Sequence, residues 1–298
     1  MTDDVILRAP AVVRGRSRGR AARAAASIMR IVPIAIIAIY VLAAVFGPMI
    51  VPFDPVATQI VDRLLPPGAT TSTGSVAVLG TDSTGRDMVG QLIYGARTSM
   101  LIGTLTVAVC TVVGVVVGLL AGYLGGIADT LLSRIIDILI AFPNIVLAIV
   151  VAGLFERGVA VVVVALSLAG WVSFARLTRG ATLSLREREW VSAARVLGVP
   201  APRIMLRHVL PFVFAPVVAL VALEFGLIVL GEAGLSFLGI GLPHDIVSWG
   251  QTIAAGKAYL STAWWISVFP GIALALLVVM TGLLGDQLNS RFQRGGVR

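Results

Sequence analysis

Six long apolar runs constrain this chain before any other feature does; they fall at about 31–51, 99–122, 134–154, 158–176, 209–232 and 263–285. A helix needs about 20 apolar residues to cross roughly 30 Å of hydrocarbon. Lipid offers the backbone no hydrogen-bond partners, so only helices and closed barrels can span it. Barrel strands are about ten residues long and alternate in polarity, whereas these runs are longer and too uniformly apolar to alternate. The predicted fold is an all-α integral membrane protein with six transmembrane helices. Composition agrees, with hydrophobic residues at 58% of the 298 and charged residues at 13%, against roughly a quarter charged in soluble domains.

The placement of charge predicts orientation. Of the 23 basic residues, Arg8, Arg14, Arg16, Arg18, Arg20, Arg23 and Arg30 precede the first run. Arg134 follows the second, a group from Arg176 to Arg207 lies around the end of the fourth, and Arg291, Arg294 and Arg298 close the chain. The other side would hold only Arg63, Arg86, Arg97, Arg157 and Lys257. Cytoplasmic N- and C-termini satisfy the positive-inside rule, and the opposite orientation violates it. The net charge of +8 is therefore read as an orientation signal, with no nucleic-acid partner. The first run is too long for a signal-peptide core and is expected to stay attached.

The expected layout is a basic cytoplasmic arm at 1–30, a first transmembrane helix at 31–51 and an extracytoplasmic loop at 52–98. A five-helix core at 99–285 follows, with a cytoplasmic loop at about 186–208, and then a cytoplasmic tail at 286–298. The outer loop is rich in Pro, Gly, Thr and Ser, so turns rather than a separate core should order it.

Little in the chain points to catalysis. No Ser/His/Asp set, His-Glu-x-x-His motif or acid/base carboxylate pair stands out, and no catalytic, cofactor-binding or metal-ligating residue is predicted. Cys110 is the single cysteine. His208 and His244 lie far apart, each read as structural and without a nearby partner. Gly250 to Lys257 superficially suggests a phosphate loop, but five residues separate its glycines and Ala258 stands where magnesium needs a hydroxyl. Gly114, Gly118 and Gly122, four apart, predict close approach of another helix. Arg134 and Asp137 are placed to pair on one helical face, and Pro143 to kink or open the third span. Glu224 and Glu232 are intramembrane carboxylates about 80° apart around a helix. They either line a translocation path or lock neighbouring helices, and Glu232, near the outer end, is within reach of water.

The informative stretch runs from Arg186 to Pro211. Trp190 to Leu197 can form two helical turns, and Ala193 and Ala194 leave room for a close partner. Gly198 suits a left-handed helix stop, and Pro200 and Pro202 prevent continuation. A short surface helix held between two spanning helices is mechanically a lever.

Ser192-Ala193-Ala194, Gly198 and Val209-Leu210-Pro211 resemble the EAA loop of type I ABC importer permeases, with Ser192 in place of the usual glutamate. Leu79-Gly-Thr-Asp82-Ser-Thr-Gly85-Arg86-Asp87 and Leu92-Ile-Tyr94-Gly-Ala-Arg97-Thr-Ser99 are similar to the region leading into span two of dipeptide and oligopeptide permeases of the DppC/OppC type. Glu232-Ala-Gly-Leu-Ser236-Phe-Leu-Gly239-Ile-Gly-Leu-Pro243, closing with Ser248-Trp249-Gly250, resembles their segment after span five, and Asp137 to Leu147 is similar too. The resemblance covers most of residues 79 to 250. It implies the MetI-like type I permease fold in a bacterial plasma membrane. It also implies a coupling helix docked on partner ATPases through Ser192, Ala193, Ala194, Arg195, Leu197, Gly198 and Val199. The implied function is the permease subunit of an ABC importer of di- and oligopeptides. The implied partners are a DppB-type sister permease, two ATP-binding subunits (DppD/DppF-type or fused), an extracytoplasmic peptide-binding protein and the surrounding lipids. ATP and magnesium would be held by the partner subunits and no cofactor by this chain. Importers of nickel or other small solutes share these motifs. An ion-driven secondary carrier would use Glu224 and Glu232 as proton sites and should show internal repeats between its halves.

Overall fold

The computed structural model of the protein describes residues 20–51 and 53–295. Most of the predicted basic arm (1–19) and the last three residues of the tail lie outside the described residues. The helices are α1 Arg20–Ile50, α2 Met88–Leu124, α3 Gly126–Ile140, α4 Asn144–Leu154, α5 Val159–Arg186, α6 Glu189–Val196, α7 Ala201–Ile204, α8 Leu210–Phe237, α9 Trp249–Gly256 and α10 Trp265–Gly295. Two short strands, β1 Ala69–Thr70 and β2 Val76–Ala77, pair antiparallel in the segment before α2. Five stretches are long and apolar enough to cross a membrane: α1, α2, α5, the continuous run α7–α8 and α10. The pair α3–α4 meets the same test jointly but is bent by 85°.

That bend is the main departure from the expected layout, in which residues 134–154 form one kinked span. The helix ends at Ile140, with Ala141 as its C-cap, and restarts at Asn144. Pro143 cannot donate to the helical ladder, and its ring drives Phe142 out of the helical region.

The rods also outrun the apolar segments. α2 begins at Met88 rather than 99 because the Asp87 carboxylate caps it, accepting from the amides of Val89 at 2.6 Å and Gly90 at 3.2 Å. α5 continues to Arg186 and α10 to Gly295. Apolar length marks what lipid must cover, whereas caps mark where helices stop. At 1.5 Å per residue the 37 residues of α2 reach about 55 Å, well beyond the hydrocarbon.

α2 and α5 form the central pair, and their contact is the glycine ridge. A Cβ on Gly118 would sit 2.8 Å from Thr178 Cβ and 3.0 Å from the Arg179 amide nitrogen. One on Gly122 would sit 2.7 Å from Thr182 Cβ and 2.9 Å from the Arg179 carbonyl. Gly114 presses likewise on Trp171, Phe174 and Ala175.

The expected pairing of Arg134 with Asp137 does not occur; both are exposed, and no ion pair joins them among the described residues. Asp129 instead accepts both Nε and Nη2 of Arg179, the latter at 2.8 Å. Gly125 and Gly126 turn the chain back so that the start of α3 lies against α5. A bidentate guanidinium–carboxylate contact there outweighs a solvated pair on one helix.

The segment before α2 is knitted by buried polar groups. Asp82 Oδ1 accepts from the Thr84 amide and hydroxyl at 2.8 Å and from the Arg86 amide at 2.9 Å. Its Oδ2 accepts from Arg86 Nε at 2.8 Å and Gln91 Nε2 at 2.6 Å. Thr252 of α9 donates in turn to Gln91 Oε1 at 3.0 Å, and Trp265 Nε1 of α10 donates to the Thr81 carbonyl at 3.0 Å. Burial pushes the Asp82 carboxyl up, but the Arg86 amide and guanidinium and the Thr84 hydroxyl and amide together hold it below the ordinary carboxylate range. Its stabilisation is therefore full above the ordinary carboxylate pKa of about 4 and is lost as pH falls through the lower native value. Asp82→Ala removes one partner of this network and should cost about 3 kcal/mol. The readout is faster proteolytic cleavage within residues 53–87 of the detergent-purified protein; unchanged cleavage would count against the hub.

Candidate functional site

α6 lies between the C-terminal end of α5 and the start of α7, and its two faces differ sharply. Val191 is fully buried and packs in one cluster with Cys110 of α2, Phe174 of α5, and Ile204, Met205 and Val209. Ala194 and Val199 pack against the same cluster. On the opposite side Val196 and Leu197 are 88% and 82% exposed, and Ser192, Ala193, Arg195 and Gly198 are exposed as well. An apolar tip this open, on a helix this firmly seated, is suited to a protein partner.

Local chemistry sets the shape. The Gly198 amide donates to the Arg195 carbonyl and the Val199 amide to the Ala194 carbonyl, both at 3.1 Å. With Gly198 at φ +77°, this is the double-bonded C-cap that glycine favours. Pro200 and Pro202 end α6 as expected, but they also start the next helix, because proline's fixed φ suits the first turn. α7 then passes through a π turn, Met205–Val209, into α8 without a break. The π turn lies beside the buried face of α6, and no residue pattern in the sequence announces it.

Aromatic contacts hold the loop to the bundle. Trp190 stacks near His208, with ring centroids 6.3 Å apart, and against Phe212 of α8 at 5.4 Å. The Arg195 guanidinium lies 5.5 Å above the Tyr123 ring at the C-terminal end of α2. Between them opens a groove of about 700 Å³ bordered by Tyr123, Arg186, Ser192 and Arg195. α6 thus touches α2, α5 and α8 together.

The two carboxylates of α8 differ. Glu224 is half-buried. Glu232 is fully buried, not wet as its position near the outer end suggests. It accepts from Ser99 Oγ of α2 at 2.8 Å and from Ser236 Oγ at 2.7 Å. Ser99 lies 133 positions away in the chain, so sequence spacing gives no hint of this enclosure.

At the opposite end of α2 from the loop, the last turn of α8, residues 239–247 and α9 enclose a cavity of about 220 Å³. Gly250 to Lys257 forms α9 and the turn after it rather than a phosphate loop, with Ser248 Oγ accepting from the Gln251 amide. His244 does have a partner, since Arg157 donates to its Nε2 at 3.1 Å. Neither this contact nor the cavity is visible in the sequence, because the partners lie 87 positions apart.

Comparison with known proteins fits this geometry. The chain is 38% identical over 260 residues to the dipeptide transport system permease protein DppC of Escherichia coli K12, covering 87% of this chain and 86% of that one. It is 35% identical over 250 residues to the di/tripeptide transport system permease protein DppC of Pseudomonas aeruginosa, covering 84% and 82%. Among solved structures, a chain of the inward-facing MetNI methionine ABC transporter shares the fold with a TM-score of 0.57 at 19% identity, covering 69% of this chain and 97% of that one. Residues 114–294 match the family described as binding-protein-dependent transport system inner membrane components. With its apolar helices, its seated loop and these relatives, the chain belongs to that family of multi-pass membrane permease subunits of ABC importers.

Proposed function

We propose that this chain forms one half of the translocation pathway of a peptide importer. It pairs with a DppB-type sister permease, two ATP-binding subunits and an extracytoplasmic peptide-binding protein. Both termini face the cytoplasm, together with α6, and residues 52–87 face outward. The supporting observation is a coupling helix whose inner face is fused to the core and whose apolar tip at Val196 and Leu197 stands free.

In this reading ATP binding closes the two ATPases, which hold magnesium and nucleotide. The groove of one ATPase receives Ser192 to Val199 and drives α6 against the bundle. Because Val191 shares a core with Phe174 and Val209, displacement of α6 turns α5 and α8 as a unit and opens the cavity outward. Hydrolysis resets it. Two ends of one bistable element are thereby biased by two ligands, which is what coupling requires.

Glu224, half-exposed, lines the path. Glu232 locks α2 to α8 through Ser99 and Ser236. Glu232→Leu leaves both hydroxyls unpaired and should cost about 2 kcal/mol, read as a lower thermal midpoint of the assembled complex. An unchanged midpoint combined with lost uptake would instead place Glu232 on the path.

The deciding experiment co-expresses the chain with candidate partners and measures ATP hydrolysis in nanodiscs with loaded binding protein. Di- and tripeptides should stimulate hydrolysis, and nickel should not. Stimulation by nickel alone would shift the cargo, and proton-driven uptake by this chain without partners would overturn the importer reading.

A further inference from the structure

The cavity at the outer end of the bundle is not used by anything described above. Its wall carries Arg86, Arg157 and His244, with Gln251, Phe237 and Leu242 beside them. No carboxylate lines it. Arg86 is neutralised by Asp82 at 2.8 Å and also donates to the Pro55 carbonyl at 2.7 Å. Arg157 is different: among the described residues it forms no ion pair, and its recorded partner is the imidazole of His244. Glu156 and Asp245, its nearest acidic neighbours in the chain, are exposed and lie outside the cavity lining.

The Arg157 guanidinium, exposed in this chain, donates to an imidazole nitrogen rather than to a carboxylate. Guanidinium takes a carboxylate through two parallel bonds, and charge-assisted pairs of that kind are the strong ones. The apolar side of the cavity, from Phe237 and Leu242, suits a small side chain next to that carboxylate.

We propose that this cavity is a carboxylate site that receives the C-terminus of a short peptide as it enters from outside, with Arg157 as its principal ligand and His244 as its companion. The inference rests on the peptide-importer reading and adds to it a site, an orientation and a residue that reads the free carboxylate.

The test uses the assembled complex in nanodiscs without binding protein, and the probe is dialanine. The chain has two histidines, one in the cavity and one at the far end of α2 beside Trp190. Carbethoxylation of His244, followed by mass spectrometry, should slow when dialanine is added, with His208 as the unchanging internal reference. Dialanine amide should not protect. Arg157→Gln should abolish the protection, and Arg157→Lys should restore part of it. In uptake at saturating loaded binding protein, Arg157→Gln should lower the rate for free dipeptide relative to its amide about tenfold.

Equal protection by dialanine and its amide would overturn the proposal. So would equal protection by acetate, which would leave a bare anion site, or protection by substrate-free binding protein alone, which would make the cavity a docking point. Wild-type complex that imports dialanine but shows no protection removes only the site. Complex that fails to import any peptide removes the importer reading beneath it.

Discussion

Leu197→Asp is expected to abolish ATP-driven uptake while leaving the chain folded and in the membrane. Leu197 is 82% exposed and makes no core contact, so the unpartnered fold loses nothing by its removal, and surface changes of this kind stay within about 0.5 kcal/mol. The docked state is another matter. Burying a leucine contributes about 1.5–3 kcal/mol, and an unpaired carboxylate in the same place adds a desolvation penalty. Together these should reduce uptake at least about tenfold, with Leu197→Met close to wild type because volume and polarity are kept. ATPase co-purification, hydrolysis rate and uptake would be measured side by side. Wild-type uptake by Leu197→Asp would remove the docking role of this tip.

Gly198 separates docking from capping at the same place. Its φ of +77° favours glycine, but a Cβ there would meet nothing within 4 Å. Gly198→Asn, which tolerates the left-handed region, should cost less than 1 kcal/mol and keep part of the uptake. Gly198→Asp carries similar backbone strain and adds charge at the docking face. A large gap in uptake between the two would come from the partner surface, and equal loss would come from the cap.

What could be read from the sequence follows the range of the interactions involved. The six apolar runs are visible because lipid imposes their length segment by segment. The stop at Gly198 is visible because its hydrogen bonds span only a few residues. Pro143 marks a break in the third span, but not its 85° angle, which depends on what α3 and α4 pack against. Asp129 and Arg179 lie 50 positions apart, and Arg134 with Asp137 offered a nearer pairing that solvent wins. Glu232 reads as accessible because helix position alone suggests depth; Ser236, one turn on, is legible as a neighbour, but Ser99, 133 positions away, encloses it from a direction that position does not encode. The motif around Asp82 stands out as a pattern, yet its purpose emerges only when Gln91 and Thr252, 161 positions apart, complete the network.

Gly118→Ala should unfold the central pair, although it adds a single methyl. The obstacles are the backbone carbonyl of Ala175, Thr178 Cβ at 2.8 Å and the Arg179 amide at 3.0 Å. None is the tip of a flexible side chain, so the methyl fits only if α2 and α5 separate. Overpacking costs about 1–3 kcal/mol and occasionally more, and the rigid obstacles put this site at the upper end. Within lipid no hydrophobic force draws the helices back together, so lost van der Waals contact is not replaced. Separation would also loosen Gly114 and Gly122 and strain the Asp129–Arg179 clamp, so the damage spreads along the interface. The control is Gly180→Ala on α5, where a Cβ would meet nothing within 4 Å. There the same methyl should stabilise the helix by about 0.5–1 kcal/mol, the amount by which glycine weakens a helix interior. Thermal midpoints in detergent should therefore move in opposite directions for the two substitutions. A rise of equal size in both would mean that helix propensity, not close approach at the glycine ridge, governs this pair.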